Sequence, residues 1–385
     1  MKKTNLLNLG LALITTLLFV QNASAEKAKN EDTRTGTYYE YGEGLKVKTP
    51  GDEVDLTLNL YNKFKVSVTN TEDIEWWGTG TGTKFYIPQS RLVLDSNFIG
   101  GLVNLFAEID LIGVEERELY RQKAFVRQEV VLNLTPIEDL TFKIGQWTAP
   151  GSKEGFDYDD FSLNMEDPSI AGLGSLPELG VGVETSFAGN NLVFGVFNGH
   201  NISERKNETR TDYKLAALLS RTLFGEYDRS VSSDINYSKE AALDVGIYGI
   251  YDKGKERAAD THYKSRTVGV NGGYKHLGLS AELDVAYLNA EVKGERDYAL
   301  IATTAKTGYF FVPKKLEGVA RFGWLNYHHN VDGATNSWEP ALGVNYYIIG
   351  EDLRVGTMVS YVRTTFHSQS GDDSLRWLTS LVARF

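Results

Sequence analysis

The stretch from Val54 to Val68 alternates between apolar and polar side chains over its whole length. Its even positions are almost all apolar, whereas its odd positions are polar or charged and include Lys63 and Lys65. This period of two indicates a β-strand, because a helix repeats about every 3.6 residues. The strand is far longer than the usual length of about 5–6 residues, and a strand that crosses a bilayer has one lipid face and one water face. The stretch is therefore predicted to be the first strand of a transmembrane β-barrel.

The same alternation recurs in the rest of the chain, clearly in Leu102–Leu111 and in Leu279–Tyr287. The segments number about 16, and short turns between them alternate with longer loops, as in bacterial barrels. These features predict an all-β fold, a transmembrane antiparallel β-barrel over residues 54–385. One connection, Gly225–Glu240, is long where a short turn is expected, and the pattern gives no account of it.

The chain begins with a segment typical of a secretory signal peptide. Lys2 and Lys3 precede the apolar run Leu6–Val20, and small residues follow at Ala23–Ala25. A membrane-anchor helix is the alternative, but the apolar run is short for one. Polar residues then lead to the first strand. The predicted organisation is a signal peptide at 1–25, a periplasmic N-terminal arm at 26–53 and an outer-membrane barrel at 54–385.

The composition fits a barrel or sandwich whose stability comes from backbone pairing rather than from disulfides. The chain has no cysteine. Its net charge of −11 argues against a protein that binds nucleic acid or the surface of an anionic membrane. Tyrosine and tryptophan favour the two membrane interfaces. We expect about half of the following strand-end aromatics to lie there: Tyr86, Trp147, Tyr251, Trp324, Tyr327, Tyr346, Tyr347 and Trp377.

Charged residues on the polar faces of the strands are predicted to point into the lumen. Charged side chains that line a water-filled pore select solutes by charge. The alternative is that they pair across strands and merely keep the lumen hydrated. The predicted pore-lining residues are Lys63, Lys65, Arg91, Glu108, Asp110, Lys123, Arg127, Lys143, Glu282, Asp284, Arg321 and Arg354.

The longest loop, Ala149–Glu178, follows the fifth predicted strand and is predicted to fold inward as a constriction loop. Most of its charged residues are acidic, which would attract cations at a narrow point. A solvated surface loop is the alternative. A calcium site at the clustered aspartates is a second alternative, but the sequence supports it only weakly because the EF-hand pattern is absent. The charged residues concerned are Lys153, Asp157, Asp159, Asp160, Glu166 and Asp167.

The order of several short motifs resembles the phosphate-selective porin family (porins O and P) over nearly all of the chain after the signal peptide. The match includes GLKVKTPGDEVDLTLNL, FYIPQSRLVLDSNF, VFGVFNG, LEGVARFGWLN and ALGVNYYIIGEDLRV. It also includes a Gly-Gln-aromatic strand end at Gly145, Gln146 and Trp147, followed by Pro150. The family usually has basic residues where Pro88 and Gln89 stand.

The resemblance implies a 16-stranded barrel, usually trimeric, that passes small solutes. Phosphate-specific members have an arginine ladder, and Arg91 and Arg321 occupy ladder-like positions. Members also have a lysine cluster at the constriction, where this chain has one lysine among many acids. The final strand ends at Phe385, which is similar to the signal that outer-membrane assembly machinery recognises.

These observations predict a bacterial outer-membrane porin for small hydrophilic solutes or ions, with anions such as phosphate among the candidates. No zinc spacing, phosphate-binding loop or catalytic pair is evident, so no enzyme, cofactor or metal is predicted. The alternatives are an outer-membrane barrel enzyme, a loop-based adhesin and a soluble β-rich binding protein. Solubility without detergent would indicate the last of these, and hydrolytic activity would indicate the first.

Overall fold

The structure, a computed structural model, describes most of the strands and the short turns. The predicted signal peptide and most of the longer loops lie outside the described residues. The described residues are 35–40, 43–50, 53–69, 82–111, 113–114, 122–123, 126–152, 177–201, 213–256, 261–293, 297–328, 334–366 and 372–385.

All regular elements among the described residues are β-strands, and no helix there is long and apolar enough to cross a membrane. The strands of the first half are β1 Gly36–Glu40, β2 Gly44–Lys48, β3 Val54–Thr69, β4 Gly82–Phe98, β5 Val103–Asp110, β6 Gly113–Val114, β7 Gln122–Lys123, β8 Val126–Ile137, β9 Leu140–Thr148 and β10 Pro177–Phe187. The strands of the second half are β11 Asn190–Asn201, β12 Lys214–Phe224, β13 Ala242–Glu256, β14 Thr261–His276, β15 Leu279–Val292, β16 Tyr298–Val312, β17 Leu316–His328, β18 Ala334–Ile349, β19 Leu353–Phe366 and β20 Asp372–Arg384.

Sixteen of these strands, β3–β5 and β8–β20, form one closed antiparallel barrel. Each strand pairs with the next, and β20 closes the barrel by pairing with β3. At this seam the backbone groups of Leu60 and Phe385 exchange two hydrogen bonds, of 2.9 and 2.8 Å. Closure satisfies the backbone groups that an open sheet would expose to lipid. The predicted all-β barrel of about 16 strands is confirmed.

The two faces of the barrel wall differ as the sequence predicts. On β15, Leu279, Leu283 and Tyr287 are exposed on the outer face, whereas Glu282 and Asp284 are buried on the inner face. On β18, Leu342 is 70% exposed, and Val344, two positions further along the strand, is also exposed on the outer face. An apolar exterior and a polar interior are the arrangement of a barrel built for the bacterial outer membrane.

Part of the predicted N-terminal arm is ordered as a hairpin. Strands β1 and β2 pair with each other, and β2 also pairs with β3, from Leu45 opposite Leu58 to Lys48 opposite Asp55. Strand β20 ends opposite Tyr61, so β2 continues the pairing of β3 beyond the end of the last strand. These residues of the predicted arm therefore form a regular hairpin that extends the barrel wall next to β3. The domain division itself stays a prediction.

The alternating segment Gln122–Leu134 does not form one continuous strand. Strand β7 pairs with β6 as a small separate ribbon, and the barrel strand β8 begins at Val126. The register of β5 and β8 shifts between Glu108 and Ile109, so that Arg127 lies opposite Ile109. Such a bulge interrupts the alternation. Simple parity therefore no longer assigns Arg127 to the inner face.

Candidate functional site: the inner face of the barrel

Most of the predicted pore-lining residues lie on the buried inner face of the barrel wall. The residues so placed are Lys63, Lys65, Arg91, Glu108, Asp110, Lys143, Glu282, Asp284, Arg321 and Arg354. The side chains of Lys123 and Arg127 lie outside the described residues. The same applies to the predicted constriction-loop residues Lys153, Asp157, Asp159, Asp160, Glu166 and Asp167.

Arg91 on β4 is the centre of a buried ion cluster. Its Nη1 lies 3.0 Å from Glu108 Oε1, and its Nε donates a hydrogen bond of 2.9 Å to Asp110 Oδ1. Both carboxylates come from β5, the next strand of the barrel. Arg91 is only 2% exposed, so its charge depends on these partners. Removal of one partner from a buried pair typically costs about 3–5 kcal/mol, because it leaves an uncompensated charge.

Other inner-face charges also pair between neighbouring strands. Lys143 on β9 lies 2.9 Å from Glu184 on β10. Arg321 on β17 donates a hydrogen bond to Glu339 on β18, and both side chains are almost fully buried. The alternative that the sequence left open, pairing across strands, therefore applies to Arg91, Lys143 and Arg321.

The inner face is divided by charge into two sectors. In a basic sector, β16–β20 with β3 and β4, positive side chains predominate. They are Lys306, Arg321, Arg354, Arg376, Lys63, Lys65 and Arg91, interspersed with the carboxylates of Glu317, Glu339, Asp55 and Asp95. In an acidic sector, β5 with β8–β15, carboxylates predominate. They are Glu108, Asp110, Glu129, Glu178, Glu184, Asp244, Asp252, Glu282 and Asp284, interspersed with Lys143, Lys214 and Lys275. Such an arrangement creates a field across the lumen.

An apolar cluster interrupts the acidic sector on β8–β13. Trp147 and Phe197 are its centre, with ring centroids 4.7 Å apart. A Cβ on Gly182 would collide with the Trp147 ring, and a Cβ on Gly195 would collide with both rings. The glycines therefore make the space that these large side chains occupy. Trp147 is therefore one of the strand-end aromatics that do not lie at a membrane interface, because its side chain fills this inner cluster.

The first residues after β9 turn into the barrel and cover this cluster. Ala149 belongs to the cluster and is 1% exposed. Further along, Ser152 donates a hydrogen bond of 2.8 Å to Asp284 on β15, and Gly151 O accepts one of 3.4 Å from Asn271 on β14. The beginning of the predicted constriction loop therefore lies inside the barrel. The rest of that loop, up to residue 176, lies outside the described residues, and its inward course stays a prediction.

Comparison with known proteins gives structural likenesses only: no family model matches, and no curated protein sequence matches. Among solved structures, the outer membrane channel DcaP of Acinetobacter baumannii superposes with a TM-score of 0.64 at 13% identity, covering 89% of this chain and 100% of that chain. The trimer form of OmpT, an outer membrane protein of Vibrio cholerae, superposes with a TM-score of 0.59 at 12% identity. The match covers 86% of this chain and 99% of that chain. An anion-selective porin from Comamonas acidovorans superposes with a TM-score of 0.59 at 10% identity. The match covers 86% of this chain and 100% of that chain.

The fold is that of an outer-membrane porin. Likeness at such low identity concerns the fold, and it covers nearly the whole of each similar chain. Membership of the phosphate-selective family is not shown by these comparisons. The solute and its charge therefore have to be argued from the residues of this chain.

Sequence reasoning missed several inner-face residues. Tyr347, which the sequence marks only as a strand-end aromatic, is completely buried on the inner face, where its hydroxyl donates a hydrogen bond of 2.6 Å to Glu317. Lys306 and Glu339 also face inward, which strand parity could have indicated. Within the described part of the chain, no group of three His, Cys, Asp or Glu side chains could hold a metal ion.

Proposed function

We propose that this protein is a porin of the bacterial outer membrane through which small hydrophilic solutes or ions diffuse passively. The observation that carries the proposal is the combination of a closed barrel, an apolar outer face and an inner face rich in charged side chains. A polar wall keeps a channel wet, whereas an apolar constriction excludes water. Barrels of 16–18 strands are wide enough to leave an aqueous channel.

The two charged sectors give the pore its proposed selectivity. Anions would follow the basic sector, where Lys63, Lys65 and Arg354 lie on β3 and β19. Cations would follow the acidic sector on β5 and β8–β15. Small anions such as phosphate are the proposed solutes, in keeping with the basic sector and with the sequence resemblance to phosphate-selective porins. The pore-lining role of each charged residue belongs to this proposal.

The remaining features complete the proposal. The signal peptide at 1–25 would direct the chain across the inner membrane, and Phe385 would be recognised by the barrel-assembly machinery. The mature barrel would sit in the lipid bilayer as a homotrimer, and OmpT of Vibrio cholerae also has a trimer form. Nucleic acid is not a proposed partner, and neither catalysis nor a cofactor is part of the proposed function.

Single-channel recording in a planar bilayer, with a salt gradient across it, tests the proposal. Stepwise conductance by the folded protein is the expected result. A reversal potential that favours anions would support control of the selectivity by the basic sector. A reversal potential that favours cations would exclude phosphate as the solute. No conductance steps from a protein whose gel mobility shows a folded barrel would refute the porin function.

A further inference from the structure

The connection between β12 and β13, residues 225–241, is the long turn that the sequence left unexplained. It lies at the end of the barrel where the other described turns are short, such as 188–189, 277–278 and 350–352. Short turns are typical of the periplasmic side of such barrels. We call residues 225–241 the inner turn.

The middle of the inner turn is buried although it is polar. Ser232, Ser233 and Asp234 are 0%, 3% and 2% exposed. Surface turns expose such side chains to water, because burial of a polar group without a partner is costly. The burial of three consecutive polar residues therefore indicates that the segment lies inside the barrel mouth and is covered by its wall.

The wall of β13 and β14 holds the first part of the inner turn. Arg229 donates hydrogen bonds to Asp244 on β13 and, over 2.6 Å, to Asn271 on β14. The ammonium group of Lys275 donates to the carbonyl oxygens of residues 228 and 231 and lies 4.7 Å from the centre of the Tyr227 ring. A Cβ at residue 273 would collide with that ring, so a glycine there makes room for it.

Glu282 on β15 supplies the next attachment. It accepts hydrogen bonds from the hydroxyls of Tyr227, over 3.4 Å, and Ser232, over 3.1 Å. Asp234 fixes the last part of the turn. Its carboxylate accepts a hydrogen bond of 3.0 Å from the backbone N–H of Ser238 and one of 2.7 Å from the backbone N–H of Gly278. These contacts are charge-assisted, which makes them stronger than neutral hydrogen bonds. The inner turn is therefore a fixed part of the barrel mouth.

The inner turn contacts three consecutive strands of the wall. Arg229 binds Asp244 on β13 and Asn271 on β14, and Ser232 binds Glu282 on β15. The turn therefore covers the inner wall from β13 to β15. A segment that lies inside one end of a barrel reduces the opening there.

The inner turn meets the segment that enters from the opposite end. Asn271 accepts a hydrogen bond from Arg229 of the inner turn and donates one to Gly151 of the inward loop. On β15, Glu282 binds the inner turn, and its neighbour on the same face, Asp284, binds Ser152. The two insertions therefore form one continuous layer against β13–β15, in the acidic sector.

We infer that the inner turn is a periplasmic constriction that determines specificity: it narrows the exit and shields acidic residues of β13–β15 from the solute path. This inference rests on the proposed porin function. Asp244 and Glu282 are 3% and 8% exposed and are engaged by Arg229, Tyr227 and Ser232. The solute is thereby directed toward the basic sector on the opposite wall. The solute class that this arrangement favours is small anions.

The test replaces residues 226–240 by Asn-Gly, which favours a tight hairpin, and compares the variant with the wild type in planar bilayers. The conductance is expected to rise by roughly twofold, if the insertion fills about half of the lumen. The reversal potential is expected to shift toward cations, because Asp244 and Glu282 become accessible without Arg229. Equal conductance and equal selectivity of the two proteins would overturn the inference and leave the porin function intact. Absence of conductance from both folded proteins would instead refute the porin function.

A point variant covers the case in which the shortened chain does not fold. Asp234→Ala removes the acceptor that fixes Ser238 and Gly278, so the turn is expected to loosen and the current to become higher and noisier. Glu240→Ala, at an exposed position of the same turn, is the matched control and should behave as the wild type. An Asp234→Ala channel with the current level and noise of the control would overturn the inference.

Discussion

Leu342→Lys tests the assignment of the outer face to lipid. Leu342 is 70% exposed on β18 and lies seven positions before Ile349, the end of the strand on the short-turn side. With about 3.4 Å per residue and a strand tilt of about 40°, this places it about 18 Å above that end, within the central part of an apolar band about 25 Å tall. A lysine at this depth should lower the free energy of unfolding by about 2–4 kcal/mol.

Phe311→Lys is the matched control. Phe311 is similarly exposed, at 66%, but it is the penultimate residue of β16 beside a short turn. Lysine near an interface reaches the headgroups and costs only about 0–1 kcal/mol. Denaturant titration of refolding into lipid vesicles, followed by the gel mobility of the folded barrel, measures both variants. Equal costs at the two positions, or no cost at Leu342, would refute the assignment of this face to the membrane.

Three further predictions concern the interior and the short turns. Arg91→Ala should shift the reversal potential toward cations relative to Arg91→Lys in bilayer recordings, because Glu108 and Asp110 lose their cation. Trp147→Ala should lower the free energy of unfolding by about 3–5 kcal/mol in the same refolding titration, because it leaves a cavity in the inner apolar cluster. A decrease below about 1 kcal/mol, as at an exposed site, would contradict the burial of Trp147. Burial raises the pKa of Glu351 in the turn after β18 even though Arg354 and Lys275 lower it. Glu351→Gln should therefore raise the melting temperature at neutral pH. This gain should shrink as the pH falls below the raised pKa of the folded state and vanish below the ordinary pKa of a glutamate, where the carboxyl is neutral in both the folded and the unfolded chain; a gain that persists in acid would contradict this origin.

The barrel could be predicted from the sequence because its main signal is local. Glu282 and Asp284 alternate with Leu283 on one strand, and this pattern requires no knowledge of distant residues. Pairing with neighbouring strands in the order of the chain then follows from the turns. The inner-face positions of Lys63, Arg91 and Arg321 follow from the same parity.

The features that the sequence did not reveal depend on contacts between distant segments. Trp147 lies near a strand end, like an interfacial tryptophan, and only the glycines of β10 and β11 show that it packs inside. The inner turn is polar like any surface turn, and its burial depends on Arg229, Lys275 and Asp234 finding partners on other strands. The inner-face position of Arg127 stays a prediction, because its side chain lies outside the described residues and an extra residue in β8 interrupts the parity on which the prediction rests.

The seam between β3 and β20 has a consequence for the order of assembly. Barrel strands otherwise pair with their nearest neighbours along the chain, so most contacts can form as successive hairpins while the chain is being laid down. The Leu60–Phe385 pairing closes the longest loop of the barrel, so it costs more chain entropy than any single hairpin. Until β20 pairs with it, the edge of β3 from Tyr61 onward is open to other chains, whereas β2 already covers Asp55–Leu58. The N-terminal hairpin therefore shortens the part of the β3 edge that stays exposed during assembly.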